Sequence, residues 1–442
     1  MNTTLKQQAP EPTAVAGQHA SLPYLPPHNP QETGLPFVFL VDLTLKTLFH
    51  AGRMRLWALG ESLKLPVAVV EPLVDFLRTE GLCEVARRDP DAPSADIGFQ
   101  LSGAGRARAM AALEKSQYVG PAPVSLTDYV AQVECQNLAQ GRVSRQALAA
   151  AFAGIVTHDG ITNDLGAALN SGRALLVYGP SGSGKTFIAE HLATALNGLI
   201  HVPHAILVDN DVIQVFDPLV HLPPAAATHD GAAGPWSAAD ARWVQCRRPV
   251  VMTGGELTLS MLDLQFDSHS RFYVAPPQVK ANNGLFIIDD LGRQLVTPHD
   301  LMNRWIVPLD RRVDHFVLHT GKKFRLPFHV HVVFSSNLTP ADLSDDAFLR
   351  RLGYKVYVGA VDAGEYRALF KQACERAAVP HDEAACDYLL SQLHEPEGKA
   401  LLACTPFDIV SMVRDRAVYL DEPARLGEKA LTWAWRTYFA AA

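Results

Sequence analysis

The densest chemistry in the chain lies in eight consecutive residues, Gly179-Pro180-Ser181-Gly182-Ser183-Gly184-Lys185-Thr186. Glycines let a backbone bend around an anion with its N–H groups pointing inward. Lys185 can reach the outer phosphates of a nucleotide, and the Thr186 hydroxyl can hold Mg2+. A second group is Asp289-Asp290, directly after the apolar run Leu285–Ile288. Asp289 is placed to orient Mg2+ through its water shell, and Asp290 to polarise an attacking water. A third is Asn337, which closes the run HVHVVFSSN at 329–337. Its amide can hold that water or a terminal phosphate by hydrogen bonds. A fourth is the pair Arg350-Arg351, suited to surface acids or to an anion on a neighbouring subunit.

These groups need positioning elements, and the flanking sequence supplies them. Residues 173–178 (RALLVY) read as a buried strand, and Phe187, Ile188, His191, Leu192, Ala195 and Leu196 recur at helical spacing. Strand, glycine-rich loop and helix is the context that the GxxxxGK[ST] pattern requires. Runs 285–288 and 329–334 are also short apolar strands that end on polar groups. Open α/β sheets bind ligands at that carboxyl edge.

Composition narrows the class. The 442 residues suggest about three domains at roughly 150 residues each. A net charge of −7 argues against a polycation built to coat nucleic acid or an acidic membrane. The longest apolar run, 147–156, is too short to cross a bilayer, and no apolar segment for secretion opens the chain. Six scattered cysteines without CxxC spacing favour a reducing, cytoplasmic setting over a disulfide framework. His201/His204 and His315/His319 lack further ligands, so zinc is not expected. A Ser-His-Asp hydrolase finds no GxSxG elbow.

Along the chain, residues 1–33 carry six prolines and read as a disordered tail. Residues 34–120 show three helical patterns, the third expected from about Val69 because of Pro72. Two short strands near 83–85 and 97–101, the polar loop 87–95 between them and a helix at 103–115 follow. That order resembles a winged helix, which implies DNA binding through the third helix. Glu71, Asp75 and Glu80 against one Arg78 favour a protein-docking or structural module instead. Residues 118–125 read as a linker, with helices at 126–139 and 144–154. Residues 223–237 are a low-complexity loop. The division expected is a tail at 1–33, a winged-helix-like domain at 34–120 and a linker helix at 121–144. A nucleotide-binding core at 145–358 and a helical lid at 359–442 complete it.

The glycine-rich loop, the Asp289-Asp290 acids, Asn337 and Arg350-Arg351, in this order, resemble an AAA+ ATPase over about residues 145–442. The resemblance implies an α/β fold, a P-loop αβα core with a C-terminal helical lid. It also implies a homo-oligomeric ring with ATP and Mg2+ at subunit interfaces. Asn337 would be sensor 1, and Arg350 or Arg351 the arginine finger acting in trans. Two departures stand out. Asp290 replaces the usual Glu, and residues 405–410 offer no sensor 2 arginine, while Arg414 and Arg416 lie further on without an assigned role. Residues 280–284 (KANNG), with a hairpin expected around 315–328, are similar to the MoxR-like group with a helix-2 insert and a pre-sensor-1 hairpin. A short helix at 257–264 would lead to Phe272 and Tyr273 as candidate pore-loop residues. Lys322, Lys323 and Arg325 would form a basic tip, 205–216 a hairpin decoration, and Arg247-Arg248 a candidate subunit contact. The expected function is an ATP-hydrolysing ring that remodels or assembles a protein client. A DNA-binding regulator gated by ATP and a slow nucleotide switch are the alternatives.

Overall fold

The computed structural model describes residues 25–86, 98–137, 142–224, 239–343 and 346–440. The first 24 residues of the expected tail, the loop at 87–95, most of the low-complexity loop and Asp345 lie outside the described residues.

Five strands form the central sheet in the order Val250–Thr253, Leu285–Ile288, His331–Ser336, Ala174–Tyr178, Leu352–Tyr357, and every pairing is parallel. Their sequences are nearly continuous apolar runs because both faces are covered. Alternate residues serve opposite faces. Leu175, Val177, Leu285, Ile287 and Val333 pack with Leu148, Leu165, Ile188 and Leu192 of three helices. Leu176, Phe286, Ile288, Val332 and Phe334 pack with Leu301 and Trp305 of helix Pro298–Arg311. The result is an αβα sandwich, the core that the resemblance implies. Helix Asp159–Ser171 adds an element to those expected from the sequence. A Cβ at Gly166 would stand 3.0 Å from Leu148 Cδ2, so the glycine lets two helices close on each other.

Four further helices, Ala363–Ala377, Glu383–Tyr388, Cys404–Tyr419 and Glu428–Tyr438, share a separate core around Tyr366, Phe370 and Trp435. This bundle falls within residues 359–442, the stretch expected to form a lid. At its centre the buried His394 bonds the Tyr366 hydroxyl at 2.9 Å.

The N-terminal elements follow the predicted order. Helices Phe37–Ala51, Leu56–Leu63 and Val67–Thr79 precede strands Cys83–Val85 and Gly98–Leu101, and helix Gly103–Lys115 follows. Two details differ. The third helix starts at Val67 and carries Pro72 in its interior, on the exposed face. A third strand, Arg53–Arg55, completes an antiparallel sheet; three residues with one apolar side chain, Met54, are too few to give a periodic signal.

The expected linker is a packed element. Tyr118, Ala122 and Val124 are buried, the Ala122 N–H donates to Leu63 O at 2.7 Å, and Val124–Ser125 pairs with Ala205–Val208. Proline breaks helices yet is compatible with an edge strand. That pairing opens a second sheet that runs on through Asp211–Gln214, Phe272–Val274 and Gln265–Asp267. The 205–216 hairpin therefore supplies two of the five strands of a sheet. Ala205, Leu207 and Val212 from it join the N-terminal core. The ion pair Arg242–Asp240, at 2.7 Å and almost fully buried, reinforces the junction, with Arg242 also donating to the Thr33 and Pro123 carbonyls.

This sheet corrects the pore-loop expectation. Phe272 packs edge-to-face on Tyr118, and Tyr273 is buried with its hydroxyl accepting from the His319 N–H at 2.6 Å. Neither is a presented loop residue. The helix expected at 257–264 is only the 3-10 turn Leu259–Leu262. The hairpin expected before Asn337 is present as Val313–Val317 against Lys323–Pro327, with Lys322, Lys323 and Arg325 exposed. Arg248 is no surface contact: its guanidinium donates to the carbonyls of Asn197, Gln136 and Asn283.

Candidate functional site

Strand Ala174–Tyr178 delivers the chain into the glycine-rich loop, and helix Lys185–Ala195 leaves it. Three positions require glycine. Gly179, Gly182 and Gly184 have φ of +151°, +82° and +95°. A Cβ at Gly179 would stand 2.1 Å from Val358 O, and one at Gly182 would stand 2.5 Å from Cys404 Sγ. The loop is thus held close to the last strand and to the lid.

Lys185 is 6% exposed, and its ammonium donates to Pro180 O at 2.7 Å and to Asn337 Oδ1 at 2.8 Å. Burial lowers its pKa, while the charges of Asp290 and Asp289 oppose that shift. Asn337 Nδ2 donates to Asp290 Oδ1 at 2.9 Å. The Thr186 hydroxyl lies 3.0 Å from both Asp289 oxygens. Strand His331–Ser336 lies between the strands that carry the loop and the two acids. This order puts Asn337 between Lys185 and Asp290 and builds one relay from residues 152 and 47 positions apart.

The acids are fixed by the edge of the sheet. Asp289 N–H donates to Thr253 O at 2.8 Å, and Leu291 N–H to Ser335 O at 2.8 Å. Between them Asp290 adopts φ +51°, a left-handed conformation that turns the chain after one acid. The KANNG segment anchors the other, amino end of the strand that carries these acids. Gly284 sits where a Cβ would meet Pro249 O at 2.1 Å, while the buried Asn282 and Asn283 donate to Tyr129 Oη and Val133 O.

A cavity of about 650 Å³ opens from the loop. Ser181 to Ile188, Asp290 and Asn337 line one end, residues 154–157 one wall, and Leu369, Gln372, Arg376, Cys404, Phe407 and Asp408 the lid side. Among the described residues the buried Ser183 Oγ has no hydrogen-bond partner, a polar atom that a phosphate oxygen would satisfy. Glycine cradle, cation, orphan hydroxyl and volume all fit a nucleotide. The hydroxyl–carboxylate pair Thr186–Asp289 is a hard oxygen donor set suited to Mg2+. Pro180 contributes its carbonyl to Lys185 and lies on the loop with the other predicted residues.

Arg350 and Arg351 are elsewhere. They lie just before strand Leu352–Tyr357, at the amino edge of the parallel sheet, whereas Lys185 follows the carboxyl edge. A five-residue strand spans roughly 15 Å. The two arginines line a different cavity with Arg173, Asp310 and Arg312. Arg351 Nε pairs with Asp310 at 2.8 Å, and Arg173 donates to Arg350 O at 3.0 Å. They do not join the Lys185 site of their own chain. Sequence reading missed Gln372, Arg376, Phe407 and Asp408, whose positions on lid helices follow no local motif. Asp408 stands in the stretch where a lid arginine was sought.

A parallel αβα sandwich, with this loop at its carboxyl edge and a helical bundle over it, is a P-loop α/β architecture. The family described as a domain of unknown function (DUF8689) matches residues 362–437, which cover the lid bundle. No curated protein matches the chain in sequence. Among solved structures, NtrX from Brucella abortus in complex with ADP is similar at 15% identity, over 60% of this chain and 51% of that chain, with a TM-score of 0.36. The RuvB Holliday junction branch migration motor of Thermotoga maritima is similar at 12% identity, over 64% and 69%, with a TM-score of 0.36. The complex between magnesium chelatase subunits BchI and BchD gives 18% identity, over 62% and 89%, with a TM-score of 0.31. The chain spans about half the length of the NtrX chain it matches. Among the described residues, no helix is long and apolar enough to cross a membrane.

Proposed function

We propose that the chain is an AAA+ ATPase that assembles into a homo-oligomeric ring and uses ATP hydrolysis to remodel or assemble a protein client. The observation that supports this most is the relay Lys185–Asn337–Asp290 beside the pair Thr186–Asp289. In this reading residues 179–186 cradle the phosphates, and Lys185 neutralises their outer charge. Thr186 and Asp289 hold Mg2+, which supplies charge neutralisation on the phosphate oxygens when bound. The Asp290 carboxylate accepts a hydrogen bond from the attacking water and takes its proton. Asn337 fixes that carboxylate and, through Lys185, links it to the phosphate end.

The reading assigns residues 34–120 to a winged-helix-like domain that docks the client, 145–358 to the nucleotide-binding core and 359–442 to the lid. The third N-terminal helix exposes Glu71, Asp75 and Arg78, with Asp75 and Arg78 paired at 3.3 Å. Such a face repels a phosphate backbone, which favours a protein partner over DNA. The buried junction with the second sheet would pass client load directly to the core.

Arg350 or Arg351 would act on the nucleotide of the adjacent subunit. The double variant Arg350→Ala/Arg351→Ala should bind ATP normally and lose hydrolysis. Rings mixed with a Lys185→Ala chain should then regain part of the activity, because each variant supplies what the other lacks. Phosphate release from mixed, size-selected oligomers measures this. Mixed rings as inactive as either parent would remove the trans role.

A further inference from the structure

Helix Ala363–Ala377 turns one face to the cavity, and Leu369, Gln372 and Arg376 lie on it three and four residues apart. Gln372 Nε2 donates to Gly154 O at 2.7 Å, which ties this face to the wall at 154–157. Ile155, Val156, Leu369 and Phe407 make that part of the cavity apolar, whereas Lys185, Asp290 and Asn337 make the other end ionic. The helix begins five residues after Val358, whose carbonyl lies against Gly179, and its first turn lines no part of the cavity, which it meets at Leu369, Gln372 and Arg376. Arg376, one turn beyond Gln372, stands at the apolar end.

Arg376 is exposed, and among the described residues its side chain makes no hydrogen bond or ion pair. Three other lid arginines are engaged: Arg367 with Asp387, Arg414 with Asp415, and Arg416 over the Trp433 ring. An unpaired guanidinium on a partly apolar cavity is suited to a π face with hydroxyls at its edge. It attracts the ring quadrupole with its planar cation and donates to oxygen from a rigid fork.

We infer that Arg376 is the lid's contact with the nucleoside of the bound nucleotide, covering the purine face and donating to ribose hydroxyls. The inference rests on the nucleotide reading above and adds a specificity-determining residue to it. This contact makes the lid respond to the nucleoside and not to the number of phosphates.

Competition titrations of the full chain with ATP, ADP and inorganic tripolyphosphate test it, using wild type, Arg376→Ala and Arg376→Gln. Both variants should weaken ATP and ADP by the same factor, about tenfold. Tripolyphosphate affinity should not change, and the thermal midpoint should match wild type because Arg376 has no partner to lose. Unchanged ATP affinity overturns the inference. So does a loss confined to ATP and tripolyphosphate, which would place Arg376 on the terminal phosphate. A wild-type chain that binds none of the three ligands overturns the nucleotide reading itself; wild-type binding with indifferent variants overturns the Arg376 role alone.

Discussion

Lys185→Ala is expected to weaken ATP binding by at least about 100-fold while leaving the chain folded. Lys185 is the cation held within the loop, buried against Pro180 O and Asn337 Oδ1. Its burial makes the ammonium costly to keep, and Asp290 and Asp289 offset that cost. A phosphate ligand supplies more negative charge at the same place. Removing a preorganised donor from such a site costs about 3 kcal/mol. The truncation also leaves Asn337 Oδ1 without its donor and loosens the bond that steadies Asp290. Titration with a fluorescent ATP analogue, alongside circular dichroism for folding, reads the effect. An intact affinity in the variant would mean that the phosphates do not lie on this loop.

Asp290→Asn is expected to keep nucleotide binding and slow hydrolysis by about 100-fold or more. The substitution preserves volume and keeps an oxygen for Asn337 Nδ2. Asparagine also tolerates the left-handed backbone at φ +51°, so the turn after the sheet survives. What disappears is the charge that accepts a proton from water. Loss of a carboxylate beside the phosphates removes a repulsion, so affinity for ATP should hold or rise. Phosphate release at saturating ATP measures the rate, and the same titration gives the affinity. Hydrolysis at the wild-type rate would move the proton acceptor to another residue.

The core was legible in sequence for a physical reason. A strand buried on both faces is an apolar run with a sharp end, so 173–178, 285–288 and 329–334 announced both the sheet and the polar groups at its edge. The loop was legible because phosphate cradling restricts residue type at fixed spacing. The second sheet was not. Its strands are two to four residues long and come from 124–125, 205–214 and 265–274, too short for periodicity and joined only by tertiary pairing. Phe272 and Tyr273 looked like presented aromatics because their partners, Tyr118 and His319, are remote in sequence. Arg248 illustrates the same limit: an apparently exposed Arg-Arg pair is half consumed by backbone carbonyls from three segments. The lid side of the cavity was also hidden, since Gln372 and Arg376 gain meaning only when Gly154 faces them. The arginine pair was legible as a motif, but only the strand direction put it at the sheet edge opposite Lys185.

The central claim is that a magnesium-bound triphosphate occupies the loop around Lys185. Isothermal titration of the purified full chain with ATP, in magnesium and again in excess chelator, tests it most directly. The account predicts saturable heat in magnesium, much weaker binding in chelator, and no heat from the Lys185→Ala chain under either condition. Equal heat from wild type and the Lys185→Ala chain, or none from folded wild type in magnesium, would contradict it.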